Sequence, residues 1–422
     1  MSAIHVGFKF GTGIVSADFQ SDNLMGVLKG DFIEAPLPEE ELTEVLRSIR
    51  EPIGGLPLEK IVEPNQRIVI MVSDITRPVP SWKILPVLLD ELNTYGVADS
   101  HITVLFGMGI HRAHSEEERK KLVGEEVYRR VYCCDSVNGE PYVHVGNSKL
   151  GTPYYVHQRV VAADVLICTG NIEYHWFAGY SGGAKAVLPG ACSFETIRAS
   201  HSRIGQENTE AGNLNSPVRQ DIDGILDYMG IDFIVNVVID DNKRILRSFA
   251  GDPIEAHRAG CAYLDSIYGR EIPHAADVVV ASCGGYPKDI NIYQAQKALD
   301  NANLAVRTGG TIILIGSCQE GFGDKTFESW MRDANSPQEI LNRIHIEFQM
   351  GGHKAASFAK VLVRARIVMV TDMAQADVSS AFLEYASIDQ LQNKIDQYAQ
   401  GASSVLVIPQ AGSILPIVGQ KE

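Results

Sequence analysis

The chain has few cysteines, and none of them has the spacing of a metal or redox motif. Its seven cysteines are scattered, their number is odd, and Cys133 and Cys134, which are close together, are adjacent in sequence. Without Cys-x-x-Cys pairs, this usage argues against a zinc ribbon and a disulfide framework and indicates reduced thiols. Cys168, Cys283 and Cys318 end apolar runs, where the sequence favours the role of a small buried hydrophobic residue.

The chain also lacks an excess of positive charge and long apolar runs. Its formal net charge is −15, so a nucleic acid or an acidic membrane surface would repel it. No apolar stretch approaches the ~18 residues that a membrane-spanning helix needs. The first residues have neither the basic start nor the apolar core of a signal peptide. These absences predict a cytoplasmic protein that binds neither nucleic acid nor membrane.

What the chain does contain is a regular alternation of short apolar runs and amphipathic segments. The first such pair is a strand at 67–72 followed by a helix at 81–95, and a second series starts with a strand at 276–282. This pattern predicts an α/β protein of two domains, each built on a largely parallel sheet with helices on both faces. We place the hinge at 269–273 and the domains at 1–270 and 271–422. Further predicted elements include a hairpin around 240–242 and helices at 292–305 and near 375–386.

Polar segments follow several of the predicted strands. They carry Asp74 and Arg77 after the first strand, His111 after the second and Lys185 after the third. A comparable segment precedes Lys297 in the second half of the chain. Ligands of open α/β sheets bind beyond the carboxyl ends of the strands. Two sheets that present such loops to each other would enclose an active site in an interdomain cleft.

The segment 170–190 contains Lys185 and is the most informative part of the sequence. We call it the Lys185 segment, or the Lys185 loop. Gly179, Gly182 and Gly183 permit a tight bend and a close approach to a ligand. A lysine among small and apolar neighbours is poorly hydrated, so it loses its proton more readily and can act as a nucleophile. A phosphate-binding loop of a nucleotide triphosphatase is disfavoured, because Ala184 and Ala186 replace the glycine and the hydroxyl residue of that motif. The amides of 181–183 could still hold an anion.

Several of the other residues have simpler interpretations. Asp74 could cap a turn and pair with Arg77, and His111 could bond to backbone. His114 is interpreted as a neighbour of a helix start without a chemical role, and core packing would explain Tyr293. A nicotinamide dehydrogenase is disfavoured because Gly107-x-Gly109 lacks the rest of the dinucleotide fingerprint.

The histidines have no metal-binding spacing. His175, Lys185 and His201 are not separated as zinc ligands are, so the pattern alone predicts no metal site. Two imidazoles on opposite sides of one substrate carbon would instead suit a two-base mechanism, in which each face of the carbon has its own acid and base. Racemases and epimerases use such an arrangement.

Four motifs together resemble the lactate racemase family that depends on a nickel-pincer nucleotide. They are Ser73-Asp-x-Thr-Arg-Pro, Gly109-x-His-Arg, Glu173-x-His-x-Phe-Ala-Gly-x-Ser-Gly-Gly-x-Lys-x-Val-Leu-Pro-Gly and Gly284-Gly-Tyr-Pro-x-Asp-x-Asn-x-Tyr-Gln. The resemblance runs over essentially the whole chain. It implies a two-domain α/β isomerase that inverts C2 of a 2-hydroxy acid. The implied cofactor is nickel bound to a pyridinium-3-thioamide-5-thiocarboxylic acid mononucleotide, which dedicated biosynthetic enzymes supply.

The resemblance also assigns roles to residues. It implies that His111 and His175 are the two acid/bases, that Lys185 forms the thioamide link and that His201 ligates nickel. Further residues are expected to contact the cofactor: Asp74, Arg77, Ser181, Gly182, Tyr293, Gln294 and Lys297. The substrate is expected to contact four residues: Arg77, Gln294, Lys297 and His353.

Two positions depart from the pattern that the resemblance implies for lactate-acting members, which often carry Arg at position 184 and Trp at position 353. This chain has Ala184 and His353, so the reaction type is expected but lactate itself is only one of several candidate substrates. A carrier that binds the cofactor or nickel without catalysis is the alternative. Such a carrier would need Lys185 and His201 but not both His111 and His175, which favours the enzyme.

Overall fold

A computed structural model describes residues 3–30, 36–203, 208–240, 242–347, 349 and 351–419. The chain divides into two compact units. The first consists of the described residues between 36 and 264, and the second combines residues 3–30 with those from Asp265 onward. The predicted two-domain α/β architecture is confirmed.

Strands and helices alternate along most of the chain. In chain order, the strands are β1 Ala3–Phe10, β2 Gly13–Gln20, β3 Leu24–Val27, β4 Ile68–Ser73, β5 Ile102–Gly107, β6 Tyr132–Asp135, β7 Tyr142–Asn147, β8 Pro153–His157, β9 Val165–Asn171, β10 Tyr174–His175, β11 Gly179–Tyr180, β12 Phe233–Ile239, β13 Ile245–Gly251, β14 Gly269–Ile272, β15 Ala276–Ser282, β16 Val306–Ile315, β17 Arg366–Val370, β18 Glu384–Ala386, β19 Val405–Ile408 and β20 Leu415–Val418. The α-helices are α1 Pro38–Arg50, α2 Leu58–Ile61, α3 Ser81–Thr94, α4 Glu116–Val123, α5 Glu125–Arg130, α6 Gln158–Val161, α7 Phe194–His201, α8 Pro217–Gly224, α9 Glu255–Tyr268, α10 Ile292–Ala305, α11 Lys325–Asp333, α12 Pro337–Ile346, α13 Gly352–Leu362, α14 Gln375–Ser380 and α15 Leu391–Ala399.

The first unit is built on a six-stranded sheet of order β13-β12-β9-β4-β5-β6, in which only the β12–β13 pair is antiparallel. The residues of β4 and β9 are almost all buried, as expected for parallel strands covered on both faces. From β4 the chain adds β5 and β6 on one side and later adds β9 on the other. The strand order therefore reverses between β4 and β9, and ligands of this sheet class bind outside the carboxyl ends at such a reversal.

The second unit is built on a parallel sheet of order β18-β17-β16-β15-β19-β3. The N-terminal strand β3 pairs with β19, and the antiparallel β1–β2 hairpin buries Val6, Phe8, Ala17 and Phe19 in the same core as β15 and β16. This arrangement differs from the predicted division at 1–270 and 271–422, because residues 3–30 belong to the second unit. The segment 269–273, predicted as a hinge, contains β14, which pairs with β20.

Most predicted elements agree with the structure. The predicted strand 276–282 and helix 292–305 coincide with β15 and α10, and β12 and β13 form the hairpin predicted around 240–242, of which Asp241 lies outside the described residues. The helix predicted near 375–386 is wrong in its second half, because β18 lies there and pairs with β17. All seven cysteines are free. Within the described ranges, no helix combines the length and apolarity that crossing a bilayer requires.

Candidate functional site

The loops that follow β4, β5 and β9 emerge at one edge of the first unit's sheet, and β4 lies between the other two strands. The loop after β5 also contacts the end of the Lys185 segment directly. The amide of Gly109 donates to the carbonyl of Gly190 at 3.1 Å, and a Cβ on Gly107 would lie 3.0 Å from the Cα of Gly190. Two glycines thus allow these backbones to touch, which brings the His111 loop beside the Lys185 segment.

His111 and Asp74 form a hydrogen-bonded pair. His111 Nδ1 lies 2.6 Å from Asp74 Oδ2, and the imidazole is 30% exposed whereas the carboxylate is 6% exposed. Burial tends to raise the pKa of Asp74, but hydrogen bonds from His111 and Thr76 outweigh it and lower this pKa to about 2. Asp74 is therefore an anion at neutral pH. An anion at Nδ1 fixes the proton on that nitrogen and leaves Nε2 available to a reacting proton.

The pair of Asp74 with Arg77, one interpretation of the sequence, is not formed. Asp74 is occupied by His111 and Thr76, while Arg77 makes no ion pair with the described residues. The other interpretation of His111, a bond to backbone, is likewise wrong, because its partner is a carboxylate. An unpaired guanidinium at the sheet edge is available to an anionic ligand.

His114 supports the loop after β4, which carries Asp74. Its Nδ1 lies 2.8 Å from Asp135 Oδ1, and its Nε2 accepts from the amide of Ile75 at 3.2 Å. An amide can only donate, so Nε2 carries no proton and Nδ1 donates to Asp135. The ring is 1% exposed. His114 is therefore a neutral structural residue, and the interpretation that it has no role in the chemistry remains.

The Lys185 segment contains a short hairpin whose strands, β10 and β11, are two residues long, and in which His175 pairs with Gly179. Gly182 has φ +80° and ψ −175°, and a Cβ there would lie 2.7 Å from Asn236 Oδ1. Gly183 has φ +61°, and its Cβ would lie 3.1 Å from the ring of His257. Only glycine meets both the backbone angles and the close approach, so the bend predicted from the glycines is present.

Buried polar side chains support this bend from below. Asn236 Oδ1 accepts from the amide of Gly183 at 2.7 Å, and His257 Nε2 lies 2.8 Å from the carbonyl of Ser181. Ser181 Oγ donates to the carbonyl of Asn171 at 2.7 Å and accepts from the amide of Glu173 at 2.9 Å. Ser181, predicted as a cofactor contact, therefore also fixes the loop itself.

Lys185 and His175 lie in a desolvated and positively charged environment. Part of the Lys185 side chain remains accessible, yet desolvation and then the charges of Arg77 and Arg219 hold its pKa well below the ordinary value. Desolvation and then the charges of Lys185 and Arg77 do the same to the pKa of His175. Both groups are therefore driven toward their neutral forms, the form in which a lysine is a nucleophile and a histidine is a base.

Phe177 packs between the two histidines of this segment. Its ring centroid lies 4.4 Å from that of His175 and 5.0 Å from that of His201, edge-on in both cases. His175 Nδ1 is buried and has no hydrogen-bond partner among the described residues. A buried polar atom without a partner is costly, so this nitrogen is suited to a ligand that the protein alone does not supply.

The described residues contain no cluster of three or more His, Cys, Asp or Glu side chains that could hold a metal ion. His201, which ends α7, is therefore not part of a metal site formed by several side chains of the described chain. A metal at His201 would require a bound group that brings its own donor atoms. A single imidazole suits a metal whose other donor atoms come from a bound group, as the sulfur atoms of the predicted cofactor would provide.

The remaining predicted site residues belong to the second unit. Gln294 and Lys297 are exposed on α10, next to a buried face that includes Ala295 and Ala298, so their roles are not those of core residues. Lys354 Nζ donates to the carbonyl of Tyr293 at 2.8 Å and lies 3.8 Å from the centre of its ring.

His353 lies on the first turn of α13. Desolvation and then the charge of Lys354 lower its pKa to about 4. His353 is therefore a neutral side chain near neutral pH, and it adjoins the Lys354 that contacts Tyr293.

Sequence reasoning missed the buried residues that support the Lys185 loop. Arg219, Asn236 and His257 are each no more than 1% exposed, and their partners are backbone groups far along the chain. A weak signal existed for Arg219, which stands between Val218 and Ile222 on the buried face of α8. No motif marks the other two residues.

We expect Gly182→Ala to destabilise the first unit more than Gly139→Ala, which is its matched control. Both glycines have positive φ, but a Cβ on Gly139 has no atom within 4 Å, whereas one on Gly182 meets Asn236. The backbone angle alone costs about 1–2 kcal/mol, and the contact with Asn236 adds to it. Denaturant unfolding of both variants measures the difference, and equal losses would show that the close approach at Gly182 is not constraining.

Comparisons with known proteins cover nearly the whole chain. Residues 10–212 match the family model of the lactate racemase N-terminal domain, and residues 272–416 match that of the lactate racemase C-terminal domain. The lactate racemase of Thermoanaerobacterium thermosaccharolyticum is 32% identical over 97% of this chain and 99% of its own length. That of Lactiplantibacillus plantarum is 33% identical over 94% of this chain and 95% of its own.

Solved structures agree with these matches. The lactate racemase apoprotein of T. thermosaccharolyticum superposes with a TM-score of 0.88 at 31% identity, covering 99% of this chain and 100% of that one. A protein from Thermotoga maritima, at 17% identity and a TM-score of 0.60 over 91% of this chain and 98% of its own, shares the fold. The membership that the four motifs predict is thereby confirmed: this chain is an isomerase that belongs to the lactate racemase family.

Proposed function

We propose that this protein inverts the C2 configuration of a 2-hydroxy acid, lactate or a related acid, with the help of a nickel-pincer nucleotide. The observation that carries the proposal is the presence in one unit of two imidazoles in different surroundings. His111 is oriented by the Asp74 carboxylate, and His175 is held neutral in desolvated surroundings beside Lys185. A carrier without catalytic activity has no use for an oriented acid/base pair such as Asp74 and His111.

The residues of the first unit fit the proposed cofactor. Lys185 would attach the cofactor, because its surroundings favour the neutral amine over the ammonium form. The side chain also forms no ion pair with the described residues. His201 would ligate nickel, and the tight bend at Ser181 and Gly182 would cradle the bound group. When bound, this group supplies a hydride acceptor and donor for C2, a chemistry that amino-acid side chains lack.

The protein's own residues would then handle the protons and the charge of the substrate. One of His111 and His175 takes the proton of the C2 hydroxyl, and the other returns a proton to the oxygen on C2 when the opposite enantiomer forms. Arg77 can hold the substrate carboxylate in a bidentate grip, because its guanidinium makes no ion pair with the described residues. Gln294, Lys297 and Tyr293 are proposed as further contacts of the cofactor, and Gln294 and Lys297 also of the substrate.

The proposal includes a cellular setting. Seven free cysteines suit a reducing compartment, so we propose that the protein works in the cytoplasm. Its partners there would be the enzymes that make the cofactor. Production without those enzymes should yield protein that does not racemise, since no side chain can accept a hydride.

His353 is proposed to select the substrate. Its neutral imidazole stands where the family resemblance implies Trp in lactate-acting members, so the room and polarity at this position differ. We expect His353→Trp to change the ratio of kcat/KM among substrates by about tenfold or more, the scale of one or two altered apolar contacts. Both enantiomers of lactate, malate, 2-hydroxyglutarate and a longer aliphatic 2-hydroxy acid should be assayed. An equal loss on every substrate would contradict a role in selectivity.

A further inference from the structure

Beneath the Lys185 loop lies a group that we call the cationic cluster, formed by Arg219, Asp223, His257 and Arg258. Asp223 Oδ1 accepts from Arg219 Nη1 at 3.3 Å, and its Oδ2 accepts from the guanidinium of Arg258. The side chain of Arg219 is 0% exposed, that of Asp223 18% and that of Arg258 30%. One carboxylate shared by two guanidiniums leaves a net positive charge below the loop.

The hydrogen bonds of the cluster settle the state of its histidine. His257 Nε2 lies 2.8 Å from the carbonyl of Ser181, and its Nδ1 lies 2.6 Å from Arg258 Nη1. A carbonyl can only accept and a guanidinium can only donate, so Nε2 carries the proton and Nδ1 carries none. His257 is therefore neutral, and the charge of the cluster comes from its arginines.

Arg219 acts on the loop in two ways. Its Nε donates to the carbonyl of Ala178 at 3.2 Å, and its guanidinium also donates to the carbonyl of Tyr180. These bonds hold the strand pair that precedes the bend at Gly182. The helix that carries Arg219, α8, also packs against the turn at 183–186 that carries Lys185, so the charge of Arg219 acts on Lys185 through the protein interior.

The charges that lower the pKa of Lys185 outweigh the charges that raise it. Desolvation is the largest influence on its pKa, followed by Arg77 and Arg219, which lower it, and then by Glu173 and Asp74, which raise it. Asp74 is already paired with His111. Arg77 belongs to the loop after β4, so Arg219 is the cation that acts from beneath the Lys185 loop.

We propose that Arg219 is a positioning residue for the attachment of the cofactor, which shapes the Lys185 loop by its hydrogen bonds and favours the neutral amine of Lys185 by its charge. The proposal rests on the proposed function, in which Lys185 is the attachment residue. A neutral donor would satisfy the same carbonyls without acting on Lys185, so the charge and the hydrogen bonds can be tested separately.

The test measures how fast Lys185 is acylated by a trace of acetic anhydride at a series of pH values, with peptide mass spectrometry to quantify that lysine. The protein is the full chain without cofactor, so the readout does not depend on activity. In Arg219→Gln, which keeps a donor and removes the charge, acylation of Lys185 should be about tenfold slower at pH values below the pKa of Lys185, as a shift of one pKa unit gives. Arg219→Lys should restore much of the rate.

The opposite change is expected for Asp223→Asn, which removes the carboxylate that offsets the two arginines. Lys185 should then be acylated at least as fast as in the unaltered chain. A structural role alone would loosen the loop in both variants and slow the acylation of Lys185 in both. Arg159→Gln is the control, because Arg159 is an arginine of the same unit whose guanidinium pairs with Glu140 and not with the groups beneath the Lys185 loop.

Each result decides the proposal. Slower acylation in Arg219→Gln, with Asp223→Asn at least as fast as the unaltered chain and no effect of Arg159→Gln, would support it. An unchanged or faster rate in Arg219→Gln, slower acylation in Asp223→Asn, or an equal slowing in Arg159→Gln would overturn it. If Arg219→Gln does not fold, Asp223→Asn decides alone. The acylation rate is measured on protein without cofactor. It therefore tests the effect of Arg219 on Lys185 even if other experiments show that Lys185 does not carry the cofactor.

Discussion

Replacing Lys185 by Ala is expected to abolish both the covalent adduct and the racemase activity. Desolvation and the charges of Arg77 and Arg219 favour the neutral, nucleophilic form of the Lys185 amine. The side chain of alanine has no nucleophilic atom that could replace it. The measurement is the intact mass of protein co-produced with the cofactor-making enzymes, together with racemisation rates. The His201→Ala protein, produced in the same way, should carry the adduct but no nickel. Metal analysis of the purified protein measures the loss of nickel.

Lys149→Ala is the matched control for Lys185→Ala. Lys149 lies in the same unit, its side chain is 89% exposed, and it forms a surface ion pair with Asp227. Its removal should change neither mass increment nor activity. An adduct of unchanged mass on Lys185→Ala protein would show that another residue carries the cofactor.

The second large effect is expected at the two proposed acid/bases. His111→Ala and His175→Ala should each lower kcat/KM by about a hundredfold to ten-thousandfold, the range for a lost general acid or base. The loss should be the same from either enantiomer, because the equilibrium constant between enantiomers is one and each histidine serves both directions. Initial rates from each pure enantiomer measure this.

Two further variants define what the histidines do. Asp74→Asn should also lower the rate, because the amide cannot hold the proton on His111 Nδ1 as the carboxylate does. His144→Ala, which removes an exposed histidine of the same unit, should have no effect. Activity within a few-fold of the unaltered protein in either His111→Ala or His175→Ala would exclude that residue as an acid/base.

The sequence predicted which loops lie together better than the contacts within them. Apolar runs and turn residues identified β4, β5 and β9, and the rule for parallel sheets placed their loops together. The sequence offered Arg77, three residues away, as the partner of Asp74 and did not point to His111. The strand register decides the partner, because Ser73 of β4 stands opposite Gly107 of β5 and brings the two loops side by side.

What the sequence missed depends on contacts between distant segments. Arg219 and His257 bind carbonyls of the Lys185 loop, and backbone carbonyls leave no signature in a sequence. The strands within 3–30 join the second unit because β3 pairs with β19, almost the whole chain length away. Local patterns predict elements, whereas pairing of this kind is decided only when the chain folds.

The hydrogen at C2 is proposed to leave and return as a hydride, so that it never exchanges with water. Racemisation of C2-deuterated substrate in ordinary water by the cofactor-loaded protein tests this most directly, with mass spectrometry of the product enantiomer. We predict that the product retains its deuterium at C2. A product that has lost its deuterium to solvent would show that C2 is deprotonated by a base instead, and would contradict the proposed hydride transfer.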